Sequence, residues 1–349
     1  FPESIDSIKF NAPLDYASQG RCVTAEDYKT FVKRFFPNTQ AVSVFGGESG
    51  SFDSSLGVVS TQEFGKVFIS IKSTTGNFIP QAEKERLVQD LSPFTVASIT
   101  PVIVDPETIF LVLDVSARFN SNLTTLTSTA LASKINDTLI NFNKNNLQSF
   151  NSSFRHSQVT RLIDDTDDAI TSNITKVVLA KFFTPTLNEE VGYTIFFNNR
   201  IFNPHARHNS DQGGVTASTG FKVSGDTANE HFFDDDGNGN VRRYYVLAGV
   251  KNYIDNTAGT VDYALGTISI NPINITSVSD VDGSSSTQIR VTALPDSFDI
   301  VPVRNQILEI DLENTSITTS IDSTEIGDVN VASSSQLATS STTSIASGY

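Results

Sequence analysis

The sharpest cluster of chemically capable side chains is Asp234-Asp235-Asp236-Gly237-Asn238-Gly239-Asn240. Side-chain oxygens at Asp234, Asp236 and Asn238 have the alternate spacing with which a calcium loop begins. Position twelve of such a loop needs a bidentate Glu, and Tyr245 stands there. The reading adopted is a hairpin turn between strands at Glu230–Phe233 and Val241–Leu247, because Asp-Gly and Asn-Gly tolerate positive φ. Asp164-Asp165-Thr166-Asp167-Asp168 gathers carboxylates that acid–base chemistry could use, but adjacent carboxylates at a helix end read as a solvated face. His205-Ala206-Arg207-His208 follows Asn203-Pro204 in a loop without the further ligands zinc would want, and His156 and His231 stand singly. Cys22 precedes a helix start, where a thiolate is favoured, yet has no base partner and reads as a packed, idle thiol. Gly46-Gly47-Glu48-Ser49-Gly50 follows a strand as phosphate loops do but lacks the Gly-Lys-Ser/Thr ending, and reads as a flexible turn. No Gly-x-Ser-x-Gly elbow or dinucleotide fingerprint is present. These residues assemble no catalytic, cofactor-binding or metal site, and the chain is expected not to be an enzyme and to carry no cofactor.

The elements around these clusters follow from periodicity. Residues 1–20 read as an irregular lead-in punctuated by Pro2, Pro13 and Gly20. Thr24 then caps a helix, with Asp27 three residues on and Tyr28, Phe31, Val32 and Phe35 on one apolar face, until Pro37 stops it. Strands are expected at Ala41–Phe45 and Lys66–Ile71, a polar loop over 48–62, and a helix opened by Pro80 that buries Leu87, Val88 and Leu91. Val102–Val104 and Ile109–Val115 read as strands joined by a turn at Asp105–Thr108. A long helix follows from about Leu126 to Leu147, with Leu131, Ile135, Leu139 and Phe142 on one face. A shorter helix capped by Ser157 and a strand at Lys176–Phe183 come next.

From Pro185 the helix signal vanishes. Strand candidates are Tyr193–Phe197, Glu230–Phe233, Val241–Val250, Tyr263–Leu265, Thr267–Ile270, Gln288–Thr292 and Gln306–Leu312. The final stretch, Asn314–Tyr349, is dominated by Ser and Thr. It reads as a disordered tail or an arm that orders on a neighbour. The expected class is α+β: two small strand-and-helix modules, then a β-rich domain and a Ser/Thr-rich C-terminal arm. The expected organisation is a lead-in at 1–20, modules at 21–105 and 106–184, a β-rich domain or insertion at 185–275, and terminal strands with the arm at 276–349.

Composition narrows the partners. At 349 residues the chain exceeds what one core usually organises. A net charge of −15 argues against nucleic acid, because phosphate binding needs clustered Lys and Arg. No apolar run approaches the ~20 residues of a membrane span. The lone cysteine excludes an intramolecular disulfide and suits folding in a reducing compartment. The chain begins at Phe1 and contains no Met, which suggests part of a longer or processed protein.

Arg21-Cys22-Val23-Thr24-Ala25-Glu26-Asp27-Tyr28 resembles the Arg-Ala-Val-Thr-x-x-Asp-Tyr hallmark of the baseplate J-like family. Gly65–Ile69, the helix after Pro80, the long helix and Ser157–Ile170 follow that family in order. Phe182–Asn188, Gly192–Asn199, the Asp-Gly-Asn-Gly hairpin before Arg242, and Pro302–Ile307 are similar to wedge subunits of T-even-like contractile-tailed phages. The resemblance covers roughly residues 10–312 and corresponds to the C-terminal half of such a subunit. It implies a structural role in a tail baseplate of the virion, in an inner ring around the hub that couples baseplate rearrangement to sheath contraction. The implied partners are further copies of itself, a larger wedge subunit in a heterotrimer, and sheath-initiating and hub-proximal proteins, with assembly in the bacterial cytoplasm. Phe196, Phe197, Phe202, Phe232, Phe233, Tyr244 and Tyr245 are expected as aromatic islands at rearranging contacts. The rival reading is a calcium-dependent adhesin or receptor-binding module, suggested by the Asp-rich loop, the β-rich half and the Ser/Thr tail.

Overall fold

The computed structural model describes residues 5–49, 52–53, 58–59, 62–74, 76, 78–203, 214–280, 286–302 and 306–322. Packing divides the chain into two units, one from Phe1–Thr108, Asn146–Ser152 and Pro302–Leu308, the other from Ile109–Asn145, Ser153–Val301 and Glu309–Tyr349.

The first unit opens with helix α1 (Ile5–Ser18), where the sequence predicts an irregular lead-in. Pro13 lies inside α1. A proline removes one backbone bond, and on an exposed helix water takes the carbonyl it leaves free, so the helix survives. Helix α2 (Ala25–Phe35) carries the expected capping box. Asp27 N–H donates to Thr24 Oγ1 at 3.3 Å, and Thr24 N–H donates to Asp27 Oδ2 at 2.8 Å. The α2 face buries Tyr28, Phe31 and Val32.

Strand β1 (Thr39–Gly46) follows, then the short pair β2 (Phe52–Asp53) and β3 (Val58–Val59), within what reads as loop in the sequence. Strand β4 (Lys66–Ser73), helix α3 (Gln81–Leu91) and strand β5 (Thr100–Val104) complete the unit. The sheet order is β1-β4-β5, with β4 antiparallel to β1 and parallel to β5. The two helices close one core with the sheet: Phe31, Val32, Ile69, Ile71, Leu87, Leu91 and Ile103 are buried together. Phe31, Phe35 and Phe94 form a ring cluster, with centroids 4.7 Å apart for Phe31–Phe94.

The second unit begins with strand β6 (Glu107–Phe119), which takes in Glu107 and Thr108 of the expected turn. β5 and β6 belong to different sheets, so Asp105-Pro106 is a crossing point rather than a hairpin. Helix α4 (Ser128–Phe142) runs on into a wider turn at Asn143–Leu147 and buries Leu131, Ile135, Leu139 and Phe142, as the periodicity requires. Helix α5 (His156–Asp164) is not capped by Ser157, which lies within it. Its N-cap is Arg155, and the distant Asp299 carboxylate accepts the His156 N–H at 3.1 Å and an Arg155 Nη1 proton at 2.9 Å. A long-range cap of this kind leaves no local sequence signal.

Strands β7 (Ile170–Phe183), β8 (Glu190–Phe196), β9 (Thr216–Ser218), β10 (Phe221–Val223), β11 (Asp226–Asp235), β12 (Asn240–Leu247), β13 (Val250–Asp262), β14 (Thr267–Val278), β15 (Ile289–Ala293), β16 (Gln306–Ile310) and β17 (Ser316–Ile321) complete one large sheet with β6. Its order is β10-β14-β13-β12-β11-β9-β15-β7-β6-β16, with β17 on β6 and β8 on β14. β10 also pairs with β11, so β10, β14, β13, β12 and β11 close into a five-stranded ring. The α+β class with a β-rich domain is thus the observed one.

Three expectations in this unit are corrected. Val241–Val250 is not continuous: Ala248 (φ 51°) and Gly249 (φ 80°) turn the chain between β12 and β13. Tyr263–Leu265 is the turn between β13 and β14, held by the Asp262 carboxylate accepting the Ala264 and Leu265 N–H groups. Ser316–Ile321 orders on its own chain, parallel to β6, with Ser128 and Thr319 side chains bonded at 2.6 Å; residues 323–349 of the expected arm lie outside the described residues.

Candidate functional site

The three consecutive aspartates of the Asp-rich cluster occupy three different environments. Asp235 is opposite Val241 and Asp234 is opposite Arg242 in the β11–β12 register, so both belong to the strand rather than to the loop. Asp234 is 1% and Asp235 0% exposed. Successive strand residues point to opposite faces, so the two carboxylates enter different surroundings.

Asp234 is held by cations. Arg242 Nε donates to Oδ1 at 3.0 Å, while Lys251 Nζ and the Tyr253 hydroxyl donate to Oδ2 at 2.8 and 2.9 Å. Arg242 also reaches the Asp235 carbonyl at 2.9 Å and lies 4.2 Å from the Tyr253 ring centroid; Lys251 lies 4.3 Å from that of Tyr244. Burial, and then the Asp234 charge, push the Tyr253 phenol far above its ordinary value, so it remains a donor.

Asp235 is held by neutral donors. The Thr216 N–H (2.7 Å) and hydroxyl (2.9 Å) donate to Oδ1, and the Tyr263 hydroxyl (2.6 Å) and Gly237 N–H (3.2 Å) donate to Oδ2. One carboxylate thereby ties together β9, the β11–β12 turn and the β13–β14 turn. Burial, followed by the Asp235 charge, raises the Tyr263 phenol well beyond its usual range.

Asp236 forms the turn itself, accepting the Asn238 and Asn240 N–H groups at 2.8 and 3.0 Å and the Asn240 side-chain amide at 2.7 Å. Burial works against its ionisation, but the hydrogen bonds from Asn240 and Asn238 prevail and its pKa is lowered. All six carboxylate oxygens accept protein donors, which is the arrangement of a structural clamp rather than of an open ligand site. The hairpin reading of 234–240 holds for the turn. It does not foresee the two buried carboxylates, although laying Arg242 across the turn places it opposite Asp234.

The remaining clusters are dispersed. Cys22 is buried in the first unit's core, where burial and then Asp27 push its thiol up to about 11, so it stays protonated. Asp165 to Asp168 line an open cleft of about 500 Å³ with Asn122 and Lys134. Lys134 donates to Asp167 at 2.8 Å, and that bond above all holds the Asp167 carboxyl below its usual range. Gly47–Ser49 form a single tight helical turn. His205, Arg207 and His208 lie outside the described residues. His231 is buried, with Nε2 3.3 Å from Asp226 but no well-formed hydrogen bond to either ring nitrogen. Burial and then Arg243 lower its pKa, partly offset by Asp226. Among the described residues no three His, Cys, Asp or Glu side chains gather to hold a metal.

The aromatic islands divide. Phe197, Phe233 and Tyr244 are core residues, with Phe221 stacked on Phe233 at 4.6 Å. Phe196, Phe202, Phe232 and Tyr245 are half-buried.

Residues 24–104 match the family model described as baseplate structural protein gp6, C-terminal domain I, and residues 107–181 match C-terminal domain III of the same protein. The baseplate wedge protein gp6 of Enterobacteria phage T4 is 28% identical over 170 residues, which is 48% of this chain and 24% of that protein. The match therefore spans about a quarter of the relative's length. A chain in the cryo-EM structure of the anti-feeding prophage baseplate is similar over 51% of this chain and 37% of its own, at 15% identity and a TM-score of 0.34, a likeness too distant to bear on function.

Proposed function

Taking the chain as related to the C-terminal part of a baseplate wedge protein, we propose that it is a non-enzymatic structural subunit of a phage tail baseplate. In this reading it contributes to an inner ring around the hub and couples baseplate rearrangement to sheath contraction. Its partners are further copies of itself, a larger wedge subunit in a heterotrimer, and sheath-initiating and hub-proximal proteins; it assembles in the host cytoplasm. Residues 21–105 and 106–184 act as two modules, followed by the β-rich portion at 185–275 and the terminal strands at 276–349.

The observation that carries the reading is the consecutive match of 24–104 and 107–181 to two domains of one baseplate protein. The aspartate centre is consistent with it, since its carboxylates are committed to joining strands. A subunit that must rearrange without unfolding needs rigid bodies between its moving contacts, and saturated buried polar groups supply rigidity.

The test is to tag the chain in the phage that encodes it and to image purified tails. Density for the tag in a ring at the baseplate, and tails that fail to assemble a baseplate when the chain is deleted, are the expected results. Recovery of complete, contractile tails without the chain would overturn the proposal.

A further inference from the structure

The five-stranded ring of the second unit is closed unevenly. β12 and β13 pair along their length, from Asn240 opposite Thr260 to Leu247 opposite Val250. β10 is only three residues long and meets β11 at Phe221 opposite His231 and at Val223 opposite Asp226. The register breaks between those two rungs, where residues 227–230 of β11 lie against Lys222 alone. Val223 and Asp226 flank the turn at Ser224-Gly225, with Gly225 at φ 89°. Beyond that turn the seam depends on the Phe221–His231 rung.

His231 is 1% exposed. Its ring centroid lies 6.4 Å from that of Phe221 on β10 and 6.2 Å from that of Tyr245 on β12. Neither imidazole nitrogen makes a well-formed hydrogen bond, and Arg243 Nε is also buried without a partner. In the β11–β12 register Arg243 stands opposite Phe233 and Tyr245 opposite His231, so all four share one face of the sheet. The groups around the imidazole are therefore few. Asp226, at the start of its own strand, brings Oδ2 to 3.3 Å from Nε2. β12 contributes the Arg243 guanidinium and the Tyr245 phenol, and Asp255 of β13 lies opposite Arg243. β10 contributes Phe221, and Val278 of β14 lies opposite it, so neither strand offers a charge here. A neutral imidazole suits these surroundings. An imidazolium would be buried between two rings beside a second positive charge, and that costs free energy.

We propose that the β10–β11 seam is an acid-operated latch: proton uptake by His231 parts β10 from β11 while β12, β13 and β14 stay paired. The inference goes beyond the wedge reading and does not depend on it. Opening gives the imidazolium the hydration that the closed seam denies it, and it separates Phe221 from the Phe233 ring on which it stacks at 4.6 Å. Burial and Arg243 lower the His231 pKa in the closed seam. Closure is therefore favoured above ~6.5 and weakens as pH falls. Hydrogen bonds from Asn229 hold the Asp226 carboxyl below its usual range, so Asp226 keeps its charge between pH 7 and 5. β12, β13 and β14 contain no histidine.

The full-length chain is followed by hydrogen exchange with mass spectrometry from pH 7 to pH 5, with rates corrected for the intrinsic pH dependence of exchange. A single proton taken up near ~6.5 limits the loss of protection over this range to about 25-fold. Peptides spanning Phe221–His231 are expected to lose about threefold to 25-fold, while peptides spanning Val241–Asp255 hold their protection. His231→Gln keeps a polar side chain without the titrating proton and is expected to hold the seam closed at pH 5, with circular dichroism at pH 7 checking its fold. The comparison of the two segments in the unaltered chain decides the assignment even where that variant fails to fold. Unchanged seam protection at pH 5, equal loss along β12 and β13, or an acid loss that persists in His231→Gln overturns it.

Discussion

The first unit's core and the aspartate centre of the second unit are held by different physics. In the first, α2 and α3 lay Phe31, Val32, Leu87 and Leu91 on β4 and β5, and its stability comes from apolar area removed from water. Its one buried thiol is inert, and the buried Tyr28 hydroxyl is left without a partner. In the second, two carboxylates enter the interior, and seven donating contacts to their oxygens come from five other segments. Apolar packing tolerates approximate shape, whereas a buried carboxylate tolerates no missing donor. The second region is therefore the more exactingly specified.

The comparison is broken most directly by substitution. Asp234→Ala leaves the buried Arg242 and the half-buried Lys251 without their counter-ion and is expected to cost about 3–5 kcal/mol in urea denaturation. Phe31→Ala in the first core is expected to cost a similar ~3–5 kcal/mol, through cavity formation. The two differ in how they are rescued. Combining Asp234→Leu with Arg242→Met and Lys251→Met is expected to recover most of the loss, because a buried ion cluster replaced whole by apolar groups is often neutral. No polar substitution rescues Phe31→Ala. Failure of the triple variant to recover would mean that the network also fixes the register of β12 on β13.

Smaller effects follow at the element ends. Thr24→Ala removes the acceptor of the capping box and is expected to lower stability by about 0.5–2 kcal/mol, with faster amide exchange confined to the first turn of α2. Ala248 occupies a left-handed conformation that disfavours a β-carbon. Ala248→Asn in the Ala-Gly turn is expected to raise stability by about 0.5–1 kcal/mol in the same denaturation assay.

The subtlest contrast is with acid. His231 has a lowered pKa in the fold, so the unfolded chain takes up a proton near ~6.5 that the folded site resists. Its stabilising contribution is present above that value and falls as pH falls. The first unit's segments contain no histidine. Burial pushes its Asp27 carboxyl up, but the hydrogen bonds from Thr24 and Val23 prevail and lower the pKa, so that contribution is lost only as pH falls below ~3.9. Between pH 7 and 5, amide protection is expected to fall in β10 and β11 and to hold in α2 and β1, and His231→Gln is expected to abolish the difference.

The first unit is largely legible in the sequence because its signals are local. Thr24 and Asp27 are three residues apart, and Tyr28, Phe31 and Val32 repeat at the helical period. The same holds for Leu131, Ile135, Leu139 and Phe142 in α4. The lead-in misleads because Pro13 reads as a breaker, although an exposed helix can carry one. In the second unit the signals are split between distant segments. Asp299 caps α5 from more than 140 residues away, and Thr216 reaches Asp235 from another strand. The Ala-Gly turn at 248–249 is hidden because its first position lacks the Asn or Asp that ordinarily marks such a turn.

By itself the sequence determined the α+β class with its β-rich portion, the capped helix at Thr24 and the Asp-Gly-Asn-Gly turn, since periodicity, capping and turn chemistry act over a few residues. Tertiary structure alone decided that β5 and β6 part into different sheets, that five strands close into a ring, and that Asp234 and Asp235 lie buried on opposite faces of one strand. Those outcomes depend on which distant donors and strand edges arrive together, and a carboxylate's burial is settled by its partners rather than by its neighbours in the chain.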